Sequence, residues 1–326
     1  MTRIVIFDGY TINPGDNPWT PLAELGELTV FDRSTPEEAV ERAFDAEIAL
    51  TNKVLLDANV IARAPKLCGI GVLATGVNAV DLKAASARGV PVCNVPSYSN
   101  VSVAQHAIAL LLELCHRVGS HDASVHAGDW QKSPDFSYRL SSITELDGKL
   151  LGVVGYGAIG RRVAAAARGL GMQVCAAELG HARAGDEAVE RLPLDELFRQ
   201  CDVITLHCPL TPETKHLVST ARLALMKPSA FLINTARGAL IDEPALRHAL
   251  DSAALAGAAL DVLSSEPPRD DNPLLSAKNC VITPHIAWTS LPARKRLLEI
   301  TVDNVRALIS GTPIHVANPD YALATR

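Results

Sequence analysis

The sequence predicts an α/β protein made of two doubly wound parallel-sheet domains with a cleft between them. Three observations carry this prediction. Short β-branched runs alternate with longer helical patterns, this alternation occurs in two separate series, and a long apolar helix joins the two. A length of 326 residues also fits two cores better than one.

In the first series, Val5–Phe7, Ile48–Thr51, Gly69–Ala74 and Val92–Val95 read as strands, with helices at Pro36–Phe44 and Val80–Arg88. The first helix is entered through Ser34-Thr35-Pro36, since proline at the opening position gives up only an N–H that would be unpaired anyway. Alternation of this kind implies right-handed βαβ units. Ser99–Val118 reads as the long helix. Its stretch from Ala107 to Leu112 is apolar nearly all round, which places it at a domain or subunit boundary and predicts a homodimer. His121–Ser142 reads as irregular.

The second series opens with the strand Leu150–Val154 and a helix from Ile159 to Leu170. Strands follow at Gln173–Ala177, Val203–His207, Ala230–Asn234, Ala256–Asp261 and Val281–Thr283. A closing helix, Pro292–Ser310, is expected to cross back to the first domain. The predicted division is therefore 1–100 with 290–326 as one domain, and 101–289 as the other.

Composition narrows the function. Net charge is −6 and Lys and Arg are scattered, which argues against nucleic acid as a partner. The apolar run from Ala107 to Leu112 is too short to span a bilayer, and Met1–Phe7 has a strand pattern where a signal peptide needs a basic region. Seven cysteines form an odd set without Cys-x-x-Cys, and Cys68, Cys93, Cys175 and Cys208 lie in apolar stretches. Reduced core thiols, no metal site and a cytoplasmic location are expected.

Gly155-Tyr156-Gly157-Ala158-Ile159-Gly160 follows a strand and opens a helix. The first glycine permits the tight turn, the second lets backbone approach a pyrophosphate, and the third allows close strand–helix packing. The helix N-terminus adds N–H donors and positive potential. A βα turn without ligand is the alternative. Glu178, at the end of the next strand, stands about 20 residues on, where an acid receives the adenosine ribose hydroxyls. Its charge disfavours a 2′-phosphate, so NAD is expected over NADP, while Arg183 keeps NADP open.

Three later strands end in reactive residues: Asn234-Thr235-Ala236-Arg237-Gly238, then Asp261 to Glu266-Pro267, then Thr283-Pro284-His285-Ile286-Ala287-Trp288. Ligands of open parallel sheets bind beyond the carboxyl ends of strands, where Arg237, Glu266 and His285 converge. Each alone also fits a structural role, as a helix-start arginine, a core histidine and a turn acid. Jointly they point to catalysis.

With the glycine motif, His207-Cys208-Pro209-Leu210-Thr211, Asn234–Asp242, Asp261–Pro267 and Pro284–Ser290, the chain resembles the D-specific 2-hydroxyacid dehydrogenases. The resemblance extends to Val72–Asp81, Asn94–Leu112 and the last helix. Val95–Ser99, Ser133–Phe136 and His285–Trp288 are similar to the glycerate dehydrogenase (hydroxypyruvate reductase) branch. This implies a Rossmann-type cofactor domain, a flavodoxin-like substrate domain, and hydride transfer between NAD and a small 2-hydroxy acid or its 2-keto partner. Arg237 would fork onto carboxylate and carbonyl, and His285 would exchange the proton. Glu266 would hold the other ring nitrogen and favour the imidazolium. Cofactor contacts are implied at Gly155, Gly157, Ala158, Ile159, Gly160, Glu178, His207, Cys208, Thr235, Ala236, Arg237, Asp261 (for the nicotinamide amide), His285 and Trp288. Substrate contacts are implied at Ala74, Thr75 and Gly76, besides Arg237 and His285. Two features depart from the pattern. The ribose acid is Glu178 where most members carry Asp, and Arg139 stands where the glycerate branch is expected to carry an aromatic residue. An NADH-sensing corepressor on the same fold is the alternative from another class, against which the compact length argues.

Overall fold

The computed structural model describes residues 1–179 and 189–323. Arg183 and His181 lie outside the described residues. The chain divides into two compact units, Met1–Ser99 with Thr289–Arg326, and Asn100–Trp288.

The first unit holds five parallel strands in the order β2-β1-β3-β4-β5. These are β1 (Arg3–Ile6), β2 (Glu27–Val30), β3 (Ile48–Thr51), β4 (Gly69–Val72) and β5 (Val92–Cys93). That order is the flavodoxin-like one. β3 and β4 are buried at every position, as strands covered on both faces must be. Polar caps fix the helices between them. Thr35 and Glu38 form a reciprocal capping box at Pro36–Ala43, and Asp57 and Asp81 cap Ala58–Ala62 and Leu82–Ala87. The closing helix, Leu291–Ile309, packs on β4, where a Cβ on Gly69 would stand 2.7 Å from Leu308.

The second unit holds seven parallel strands in the order β12-β11-β10-β9-β6-β7-β8. They are β6 (Leu150–Val154), β7 (Gln173–Ala177), β8 (Glu190–Leu192), β9 (Val203–Leu206), β10 (Phe231–Asn234), β11 (Gly257–Leu260) and β12 (Cys280–Ile282). From β6 the chain winds outward to β8, then returns to the other side of β6 and winds the opposite way. The point of reversal, between β6 and β9, is where such sheets open a crevice at their carboxyl ends.

Three local expectations are corrected. The long helix runs Asn100–His116, Arg117 then turns left-handed (φ 50°), and helices Val118–His126 and Asp129–Lys132 occupy part of the stretch expected to be irregular. Their polar, aperiodic residues bury little, so no periodicity reveals them. Within its unit the long helix buries Ala107, Leu110 and Leu111 and exposes Ala109. The edge strands β2 and β8 carry charged, half-exposed residues and give no strand signal. Cys68 is exposed, because it precedes β4 and does not enter the core.

Candidate functional site

The glycine loop sits at the point of reversal. Gly155 has φ 101°, and a Cβ there would lie 2.5 Å from the backbone of His207 and Cys208, which crosses beside it after β9. A Cβ on Gly160 would meet the Gly155 carbonyl at 2.3 Å. These two glycines are required by protein-to-protein approach. Gly157 is different: a Cβ there would meet nothing within 4 Å. The space beside it is open, at the N-terminus of the helix Ala158–Gly169. Arg161 N–H is the first to bond back, to Gly157 O at 2.9 Å, which leaves the preceding amides directed out of the helix end.

Around this loop, burial pushes the His207 imidazole down to about 4, so the ring is neutral at physiological pH, and its Nε2 pairs with Thr205 Oγ1 at 2.9 Å. Burial likewise pushes the Cys208 thiol up to about 11, which removes it as a nucleophile. Glu178 is exposed, one residue past β7. Arg191, from β8, lies 5.3 Å over the Tyr156 ring and donates to Ala177 O at 3.3 Å. It is a cation on the strand beside β7, near Glu178, that sequence reasoning missed, because β8 itself was not visible.

Three adjacent strand ends carry the reactive residues. After β10, Asn234 closes a turn, with Ala236 N donating to its Oδ1 (3.0 Å) and its Nδ2 donating to Arg237 O (2.8 Å). The Arg237 side chain is exposed, and among the described residues its guanidinium makes one bond, to Ala236 O at 2.7 Å. Most of its donors are free. Thr235 Oγ1 is buried with no partner, an orphaned hydroxyl at the same strand end. Gly238 abuts the next segment, since a Cβ there would stand 1.9 Å from the backbone of Leu263.

After β11 and β12 come Glu266 and His285. His285 Nδ1 lies 2.6 Å from Glu266 Oε2, and Glu266 Oε1 accepts from Leu263 N at 3.1 Å. Both side chains are partly exposed, at 26% for His285 and 32% for Glu266. His285 has φ 54°, a conformation that costs a non-glycine residue about 1 kcal/mol or more. It is held there by neighbours. Its N–H lies 2.9 Å from the carbonyls of both Asp261 and Thr283.

Asp261 is the centre of this hold. It is 1% exposed, its Oδ1 accepts from Thr283 Oγ1 (2.5 Å) and Ile286 N (2.9 Å), and its Oδ2 accepts from Ala287 N (2.9 Å). Burial acts to raise its pKa, but the bonds from His106, Thr283 and the two amides outweigh it and hold the carboxyl below its ordinary range. The long helix completes the frame: His106 Nε2 lies 3.0 Å from Thr283 Oγ1, and Ser102 Oγ donates to Ala287 O at 2.6 Å. His106 was not distinguished by sequence, because nothing local links it to residue 283. Trp288 is half-buried at the end of the same segment.

In the first unit, the Ala74–Gly76 turn follows β4. Thr75 Oγ1 donates to Val95 O at 2.9 Å and Asn94 Nδ2 to Thr75 O at 2.7 Å. Among the described residues nothing accepts from the Thr75 or Gly76 N–H. The remaining histidines divide. His121 joins Arg117 O to the Leu140 amide, and His315 pairs with Asn304.

Comparison with known proteins identifies the arrangement. Residues 108–287 match the model of the D-isomer specific 2-hydroxyacid dehydrogenase, NAD binding domain. The chain is 46% identical over 320 residues to a hydroxypyruvate reductase of Blautia hydrogenotrophica, covering 97% of this chain and 99% of that one. The chain belongs to the D-isomer-specific 2-hydroxyacid dehydrogenase family. A glycerate dehydrogenase of Methylorubrum extorquens is 43% identical over 284 residues, covering 86% and 88% of the two chains. A crystal structure of a Thermus thermophilus protein superposes with a TM-score of 0.86 at 35% identity, over 97% of this chain and 100% of that one. The dehydrogenase is thus an NAD(P)-dependent oxidoreductase that moves a hydride between nicotinamide and a 2-hydroxy or 2-keto acid. Its residues fit such a cofactor: open space at Gly157, unpaired helix-end amides and the orphaned Thr235 hydroxyl all face chemistry that a dinucleotide supplies. The corepressor alternative gains nothing, since the relatives bear the names of catalysts.

Proposed function

We propose that the chain reduces a small 2-keto acid, hydroxypyruvate or glyoxylate, with NADH, and oxidises D-glycerate or glycolate in reverse. The observation that carries the reading is the 2.6 Å contact between His285 Nδ1 and Glu266 beside an exposed, largely unpaired Arg237. The names of the two enzymes described above support the substrate class.

When bound, the nicotinamide supplies the hydride. The rest is the work of this chain. Glu266 accepts from Nδ1 of His285, so Nε2 is the ring atom that meets the substrate and gives its proton to the carbonyl oxygen. Arg237 offers a planar fork to the carboxylate and to the oxygen on which charge develops. The free amides of Thr75 and Gly76 are a second donor set suited to a carboxylate. We assign the cofactor to the domain 101–289, with contacts at Gly155, Gly157, Ala158, Ile159, Gly160, Glu178, His207, Cys208, Thr235, Ala236, Arg237, Asp261, His285 and Trp288, and we assign 1–100 with 290–326 as the substrate domain. Arg139, exposed in the loop after the helix Asp129–Lys132, favours a substrate with a further acidic group where that loop meets it. Seven free cysteines suit a reducing compartment, and the cytoplasm is the proposed location.

A panel of 2-keto acids assayed with NADH and NADPH tests the reading. Hydroxypyruvate or glyoxylate should give the highest kcat/KM, and NADH should exceed NADPH by about tenfold or more because Glu178 repels a 2′-phosphate. Arg191 is already engaged by Tyr156 and Ala177 and offers little relief. Turnover confined to bulky branched keto acids would sink the substrate, and equal use of both cofactors would sink the role of Glu178.

A homodimer is the second expectation. Val118, Trp130, Phe136, Leu140 and Ile143 expose apolar surface along one stretch, with Phe136 at 92%. Val101, Gln105 and Ile108 of the long helix line a groove of about 290 Å³ with Arg162 and Ala166. So much apolar surface argues for self-association. Sedimentation at micromolar concentration should show twice the chain mass, with Phe136→Asp weakening it; a monomer in both would refute the idea.

A further inference from the structure

We propose that Glu243 is a positioning residue for the Glu266–His285 pair, acting through the backbone of the segment that carries Glu266. The proposal rests on the reading of that pair as the proton-transfer machinery.

Glu243 opens the helix Glu243–Asp251 and is only 7% exposed. A carboxylate is almost never this buried unless its oxygens are taken up. Among the described residues no cation meets it. Both oxygens instead grip one segment: Oε1 accepts from Ser264 N at 2.6 Å and Oε2 from Asn272 Nδ2 at 2.8 Å. Residues 264–271 between these two points are all exposed, so no core packing fixes them. Glu266 lies two residues past the first grip. Gly238 also abuts the backbone of Leu263 and Ser264, where a Cβ would stand within 2.3 Å of Ser264 N. Asp261 holds the His285 backbone in the same manner, by amides accepted onto a buried carboxylate. Each member of the pair is therefore held through its backbone by a second, buried acid.

Of the other charged groups near the segment, Asp270 is exposed and Arg237 is the largely unpaired guanidinium described above, while the rest are engaged. Arg269 pairs with Asp271, and Arg247 pairs with Asp251 and bonds Pro273 O. Asp242 caps its own helix through Ala245 N.

Glu243→Gln reverses the hydrogen-bond polarity and also removes a negative charge, whereas Asn272→Ala breaks the second grip and leaves that charge in place. The new amide oxygen still accepts from Ser264, but the new NH₂ faces the NH₂ of Asn272. Asn272 cannot turn over, because its Oδ1 holds Leu274 N at 2.9 Å. Adding Asn272→Asp restores an acceptor while keeping that cap. A loosened Glu266 orients the ring, and the charge the ring carries in reduction, less firmly. In Glu243→Gln the high-pH fall in reductive kcat/KM should move down by about half a pH unit or more, with kcat about tenfold lower. NADH binding, followed by fluorescence, should be unchanged, and the double variant should return the limb to its original place. Asn272→Ala, a milder change, should move it the same way. Glu266→Gln is the reference arm. If it moves the limb and Asn272→Ala does not, even with a lowered Tm and whatever Glu243→Gln does, Glu243 acts by charge or packing alone and the proposal falls alone. If Glu266→Gln leaves the limb in place, the reading of the pair falls and this proposal with it.

Discussion

Replacing His285 with alanine should lower kcat for 2-keto acid reduction by about two to four powers of ten, the range lost with a positioned acid–base group. The residue sits after β12 at φ 54°, its ring fixed by Glu266 at 2.6 Å and its amide shared between Asp261 O and Thr283 O. That rigid setting makes a substitute donor hard to supply. Reduction needs the protonated ring, so wild-type reductive kcat/KM should fall as pH rises; oxidation needs the neutral ring and should show the mirror profile. In His285→Ala both limbs should vanish and leave a slow, nearly flat rate. NADH affinity should hold within a few fold, since the glycine loop is untouched. A variant that keeps near-normal kcat, or keeps the wild-type pH limb, would remove His285 from proton transfer.

Legibility in the sequence followed the range over which each residue acts. Gly155 and Gly160 were legible because backbone crossings at 2.5 and 2.3 Å admit no side chain, and such demands recur with fixed spacing. The buried strands β3, β9, β10 and β11 announced themselves as continuous aliphatic runs. Arg237, Glu266 and His285 could be nominated because consecutive parallel strands deliver their carboxyl ends to one edge. The supports were not legible. Glu243 reaches Ser264 across 21 positions and His106 reaches Thr283 across 177, and no periodicity encodes a bond of that kind. The polar edge strands β2 and β8 failed for a different reason, since strands with a wet side lack the aliphatic run.

Arg237→Ala should lower kcat/KM for the keto acid by about two to three powers of ten or more, as for loss of a preorganised donor at a developing oxyanion. The side chain is exposed and bonds only Ala236 O among the described residues, so its removal leaves no buried partner unpaired and should change Tm little. Arg237→Lys separates charge from geometry. Lysine keeps the positive charge but presents a point where the guanidinium presents a planar fork. If the fork aligns carboxylate and carbonyl together, the lysine variant should recover less than a tenth of the lost kcat/KM. If charge alone matters, most activity should return. The partition between constants also discriminates. A contact that tightens as charge develops lowers kcat, whereas one made equally in the ground state raises only KM. We expect both to change, because one end of the fork holds a carboxylate already charged and the other an oxygen that becomes so. Normal kcat/KM in Arg237→Ala, with the variant folded and binding NADH, would place substrate recognition elsewhere.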